Sequence, residues 1–122
     1  MVNTDTLVSY DDLLSEAATA ALTGQRVGFA SPREYANAEA FEAILRTIQP
    51  ANCTRVVRSQ YRRHIETIGG GFIGFFAATR EAGRGFDLDL LCLNGANDFR
   101  DGALESLNVA ARRGRILRSE TR

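Results

Sequence analysis

The segment Phe86-Asp-Leu-Asp-Leu-Leu-Cys-Leu-Asn-Gly95 bears most directly on chemistry. An apolar strand that closes on an acidic pair can anchor a magnesium shell through the first acid and orient an attacking water through the second. Here those two places hold Asn94 and Gly95, an amide and no side chain at all. The strand form is present and the metal-binding charge is not. Asn-Gly is also prone to deamidation, because glycine leaves the succinimide path unhindered. Just upstream, Arg80, Gly83, Arg84 and Gly85 form a Gly- and Arg-rich loop suited to attracting an anion or anchoring itself.

Arginine supplies the other candidates. Arg55, Arg58, Arg62, Arg63 and His64 make the densest basic cluster, with Tyr61 placed to stack on a base. They can form a phosphate-contacting patch for DNA, or a solvated strand face with scattered partners such as Glu66. Strand alternation would send Arg62 and His64 to one face and Arg63 to the other. Arg112, Arg113, Arg115 and Arg118 form a second cluster, where positive charge also complements a helix C-terminus. Asp87 and Asp89 can bind a cation or simply solvate the start of a strand. His64, the single His, has no Cys or carboxylate at metal spacing, and no Ser–His–Asp or Cys–His set can be assembled. Neither a metal nor another cofactor is expected.

At 122 residues the chain is long enough for one domain with its own core. Its apolar and charged fractions, 44% and 25%, are ordinary globular values. No apolar run approaches a membrane span, and no secretory leader pattern opens the chain, so a cytoplasmic protein is expected. Cys53 and Cys92 are too few for a disulfide framework, and Cys92 reads as a buried free thiol. The net charge of zero hides an asymmetry. Residues 1–51 carry three Arg against seven acids, and residues 52–122 carry twelve against eight. The chain contains no Lys, so a phosphate-binding loop of the Walker A type would lack its ammonium.

The elements that must position these residues follow from pattern. Residues 1–8 read as a flexible leader and 9–122 as a single α/β domain. Ser9 caps a helix carrying Leu13, Ala17 and Ala21 on one stripe, which Gly24 stops. Arg26–Ala30 is a short strand. Ser31-Pro-Arg-Glu34 then reads as a capping box, opening a helix with Phe41, Ile44, Leu45 and Ile48 inward and an end before Pro50. Arg55–Arg58, His64–Ile68 and Phe72–Thr79 read as strands, the last two joined through Gly69-Gly-Gly71. Phe86–Leu93 is a strand, Asp98 or Asp101 caps a last helix, and Arg115–Ser119 is a final strand. Phe72, Phe75, Phe76 and Phe86 can pack the core or face a partner. Strand, helix, hairpin, strand, helix and strand together predict a mixed sheet with flanking helices.

That order, with these local sequences, resembles the central part of the ATPase domain of the phage terminase large subunit, a P-loop-NTPase-like fold. Val27-Gly-Phe-Ala-Ser-Pro32 is similar to the strand and helix after the motor's first unit. Ile65–Phe75 is similar to the family hairpin, Ala82–Phe86 to its Gly-Arg-Gly loop, and Leu88–Asp98 to its Walker B strand and turn. Leu117-Arg-Ser-Glu-Thr121 resembles the Ser/Thr-rich coupling segment. The phosphate-binding loop and the strand leading to it find no counterpart, and Asn94-Gly95 is a degenerate Walker B end. The resemblance therefore implies a shortened, catalytically inactive phage or prophage protein in the bacterial cytoplasm. It would act by binding in DNA packaging or on the packaging machinery. An open sheet edge would serve a protein partner or self-association, and a free-standing DNA-binding module is the alternative.

Overall fold

The computed structural model describes residues 4–120 apart from Tyr61, Ala78, Arg80, Glu81, Arg84 and Arg100. Among the described residues the strands are β1 (Thr4–Leu7), β2 (Arg26–Ser31), β3 (Cys53–Val57), β4 (His64–Thr67), β5 (Phe72–Ala77), β6 (Leu90–Leu93) and β7 (Arg115–Arg118). The helices are α1 (Tyr10–Leu22), α2 (Glu34–Ile48) and α3 (Asp101–Ala110). One sheet forms in the order β1-β7-β6-β2-β5-β4-β3. From β1 to β5 the neighbours run parallel, and β4 and β3 continue antiparallel. The sheet is therefore mixed, as the pattern predicts.

Side chains alternate across the sheet and build a core on each face. Val27, Phe29, Leu90, Cys92 and Leu117 meet α1 and α2, whose buried stripes include Leu13, Ala17, Ala21, Phe41, Ile44 and Ile48. Ala30, Leu91, Leu93 and Ile116 meet Ala103, Leu107 and Ala110 on the opposite side. The apolar run of β6 is thus covered on both faces, the environment a parallel central strand requires.

Three expectations are corrected. Residues 4–7, read as part of a flexible leader, form β1 and pair with β7 from Thr4↔Arg115 to Leu7↔Arg118. A strand therefore does lead into α1, and Thr-Asp-Thr-Leu becomes one by edge pairing rather than by an apolar face of its own. Ser31 is not a helix cap. Pro32 holds it extended, it pairs with Ala77 as the last residue of β2, and α2 starts at Glu34 with Arg33 before it. The strand drawn from Phe86 begins only at Leu90. Residues 86–89 instead lead the chain beneath α3, where the Leu88 N–H donates to the Ala110 carbonyl at 2.8 Å.

Candidate functional site

Parallel strands of an open α/β sheet gather their carboxyl ends on one edge, and ligands favour the place where successive connections leave for opposite faces. β2 and β6 are neighbours here. The chain leaves β2 for α2 on one face and leaves β6 for α3 on the other. A crevice of about 220 Å³ opens at that fork, walled by Tyr10, Arg33, Tyr35, Glu39, Asn94 and Asp98.

Behind its Asn94-Gly95 wall runs a buried polar chain across three strand ends. Asn94 Nδ2 donates to Ser31 Oγ at 3.0 Å, and Ser119 Oγ donates to Asn94 Oδ1 at 3.4 Å. The Gly95 N–H donates to Ser119 Oγ at 3.3 Å. Ser31 and Ser119 are buried, so their hydroxyls and the Asn94 amide between them find partners where water does not reach. Gly95 turns the chain in the left-handed region (φ 70°), a conformation suited to glycine. Asn94 therefore lies just past the carboxyl end of β6, with its amide engaged by two serines. Arg33 brings positive charge to the wall, and Glu39 and Asp98 bring negative charge.

The first basic cluster is largely paired. Arg63 forms an ion pair with Glu34, Arg58 Nε lies 3.2 Å from Glu42, and Arg55 Nε lies 4.0 Å from Glu66. His64 Nε2 is also 3.3 Å from Glu66. Arg58 and Arg63 thus reach acids of α2 and tie it to the β3–β4 side of the sheet. Arg62 is exposed. On β7, Arg115 lies 4.0 Å from Glu16, and Arg118, three residues on, faces the other way. Five strand spacings separate β7 from β3, about 24 Å, so the structure keeps the two Arg clusters on opposite wings.

Tyr61, Arg80 and Arg84 lie outside the described residues. Gly83 and Gly85 both adopt positive φ, and Gly83 lies close against Leu107 and Ala110 of α3. Asp87 is exposed, whereas Asp89 Oδ2 accepts the Arg26 N–H at 2.8 Å and secures the start of β2. Among the described residues no group of three or more His, Cys, Asp or Glu is arranged to hold a metal. Cys92 is buried, and desolvation pushes its thiol well above the ordinary value, so it stays protonated. No described helix is long and apolar enough to cross a membrane. Phe29, Phe41 and Phe75 pack ring against ring in the core, whereas Phe72, Phe76 and Phe86 form a half-buried cluster on the other face, with Arg26 above two of the rings.

Sequence reasoning missed Ser31 and Ser119 as the partners that hold Asn94 and Gly95, and Tyr10, Arg33 and Tyr35 as walls. The available signal was a hydroxyl at the end of each of two apolar strands. Only knowledge of the strand order shows that those ends meet Asn94.

No protein-family model and no curated protein matches this chain. Among solved structures it is similar to a mutant of the large terminase ATPase domain of Thermus phage P74-26, with a TM-score of 0.64 and 13% identity. The similarity covers 98% of this chain and 59% of that one. At that identity the likeness is one of fold, and it places this sheet and its helices in a terminase-like, P-loop-NTPase-like architecture.

Proposed function

We propose that this chain is a terminase-ATPase-like domain that acts by binding, in DNA packaging or on the packaging machinery of a phage or prophage, without turning over ATP. One observation carries this reading: β1 passes into α1 through Val8 and Ser9 alone. A phosphate loop needs a run of backbone N–H groups bracketed by glycines, and a Lys. Two residues without glycine or lysine supply neither. Asn94, in the place that the resemblance gives to the magnesium-shell acid, leaves a second element of the same ligand site unfilled.

A protein contact is the preferred mode of binding. Ion pairs to Glu34, Glu42 and Glu66 offset much of the Arg55–Arg63 charge on which the DNA-binding alternative depends. The outer side of β1 is a sheet edge with no neighbouring strand among the described residues, the kind of edge to which a partner strand can add.

The test has three arms. Capture of a purified terminase motor or portal protein that persists at about 0.3 M salt supports the protein-contact reading. Binding to a labelled DNA duplex that falls steeply with salt, and is lost in Arg58→Ala/Arg62→Ala, would replace it with the DNA-binding one. Magnesium-dependent ATP hydrolysis by the purified chain would refute the inactive reading outright.

A further inference from the structure

Asn94-Gly95 is the one Asn-Gly pair in the chain. In an unfolded peptide the unhindered glycine nitrogen readily turns on the neighbouring side-chain amide. In this fold both reacting groups are held by the same hydroxyl. Ser119 Oγ accepts the Gly95 N–H at 3.3 Å and donates to Asn94 Oδ1 at 3.4 Å. On the far side, Asn94 Nδ2 donates to Ser31 Oγ at 3.0 Å, which fixes the plane of the amide. Ser119 is itself fastened, its N–H donating to the Leu93 carbonyl and its carbonyl accepting the Ala96 N–H, each at 2.9 Å.

We propose that Asn94-Gly95 is a latent self-modification site that Ser119 keeps closed. Ser119 follows directly on Arg118, the last paired residue of β7. Its release requires only that this strand end open, a local event well short of global unfolding. Once freed, the Gly95 nitrogen gives up its proton to solvent and bonds to Asn94 Cγ. The Cγ–Nδ2 bond breaks and ammonia leaves with a solvent proton. Water then opens the five-membered imide. Attack at Cγ yields aspartate, and attack at the former backbone carbonyl yields isoaspartate. No oxidant or cofactor takes part.

Either product changes the crevice. Aspartate adds a carboxylate to a wall that already holds Glu39 and Asp98. Isoaspartate inserts a methylene into the backbone between β6 and its turn. That shifts Gly95 relative to Asn94, whose N–H donates to the Ala30 carbonyl at 2.8 Å. The inference stands apart from the proposed function, because it rests on this hydrogen-bond set alone.

The experiment incubates wild type and Ser119→Ala at mildly alkaline pH, with and without unfolding urea, and follows aspartyl and isoaspartyl products by peptide-mapping mass spectrometry. Native wild type is expected to react at least about tenfold more slowly than the urea-unfolded chain. Folded Ser119→Ala is expected to react about three- to tenfold faster than native wild type. Equal rates in native and unfolded wild type would overturn the proposal. So would an unchanged rate in Ser119→Ala that keeps its fold by circular dichroism. Should that variant unfold, amide exchange of wild type decides: Gly95 exchange and deamidation must rise together with sub-denaturing urea, and divergence would sink the gate.

Discussion

Asn94, the residue after β6, donates its side-chain amide to Ser31 Oγ on β2, a 3.0 Å contact between residues 63 apart in sequence. It joins two adjacent strands at the point where their connections diverge. The Asn94 amide also accepts from Ser119, so it serves as a cross-strand tie rather than as a free ligand.

Asn94→Asp therefore introduces a carboxylate without supplying a phosphate-binding loop beside it. The variant is expected to show no ATP hydrolysis above a protein-free blank, because Val8-Ser9 still offers no phosphate cradle. A coupled assay with magnesium checks this, and turnover by the variant would refute the inactive reading.

The Gly69–Gly71 turn is latched beneath α1. Thr67 Oγ1 donates to the Ala21 carbonyl at 2.8 Å and accepts the Gly71 N–H at 3.0 Å. A Cβ on Gly71 would lie 1.8 Å from the Ala21 carbonyl oxygen, so backbone must move. Gly71→Ala is expected to destabilise by about 2–4 kcal/mol, read from the urea midpoint at unchanged slope. Gly70→Ala is the informative control: nothing lies within 4 Å of its Cβ position, so its penalty comes from the positive φ (85°) alone and is smaller.

The arginines near α2 divide by burial. The side chains of Arg63 and Glu34 are 16% and 20% exposed, whereas those of Arg58 and Glu42 are 60% and 48% exposed. Removing Arg63 leaves a carboxylate half-buried and unpaired. Arg63→Ala is expected to lower stability by about 2–3 kcal/mol. Arg58→Ala should lower it by less than about 1 kcal/mol, even counting its position over the Phe41 ring. Equal losses in paired urea titrations would contradict this ranking.

Cys92 gives a pH dependence with a definite sign. Burial raises its thiol pKa in the folded chain above the reference value of 9.0. The stability associated with a neutral Cys92 is thus complete below pH 9.0 and is lost as pH rises beyond it, since only the unfolded chain ionises there. The slope from this one group is about 1.4 kcal/mol per pH unit. Urea midpoints measured across that range should fall less steeply in Cys92→Ala, and an identical slope would remove Cys92 as the cause.

The sequence by itself determined what local periodicity can carry. The stripes Leu13-Ala17-Ala21 and Phe41-Ile44-Ile48 specify helices with one buried face, and Leu90–Leu93 specifies a strand covered on both. The resemblance legible in Val27–Pro32, Ile65–Phe75 and Leu88–Asp98 agrees with the terminase-like fold. Tertiary structure decided what depends on strand order. Thr4–Leu7 carries no apolar face that would mark a strand, and it becomes one by hydrogen-bonding to β7. Ser31 looks locally like a helix cap, yet pairing with Ala77 keeps it in β2. The crevice depends most on order, because Ser31, Asn94 and Ser119 are distant in sequence and only adjacent parallel strands bring their ends together. Short-range propensity acts over a few residues, whereas a polar chain shared by three strand ends exists only once the sheet has closed.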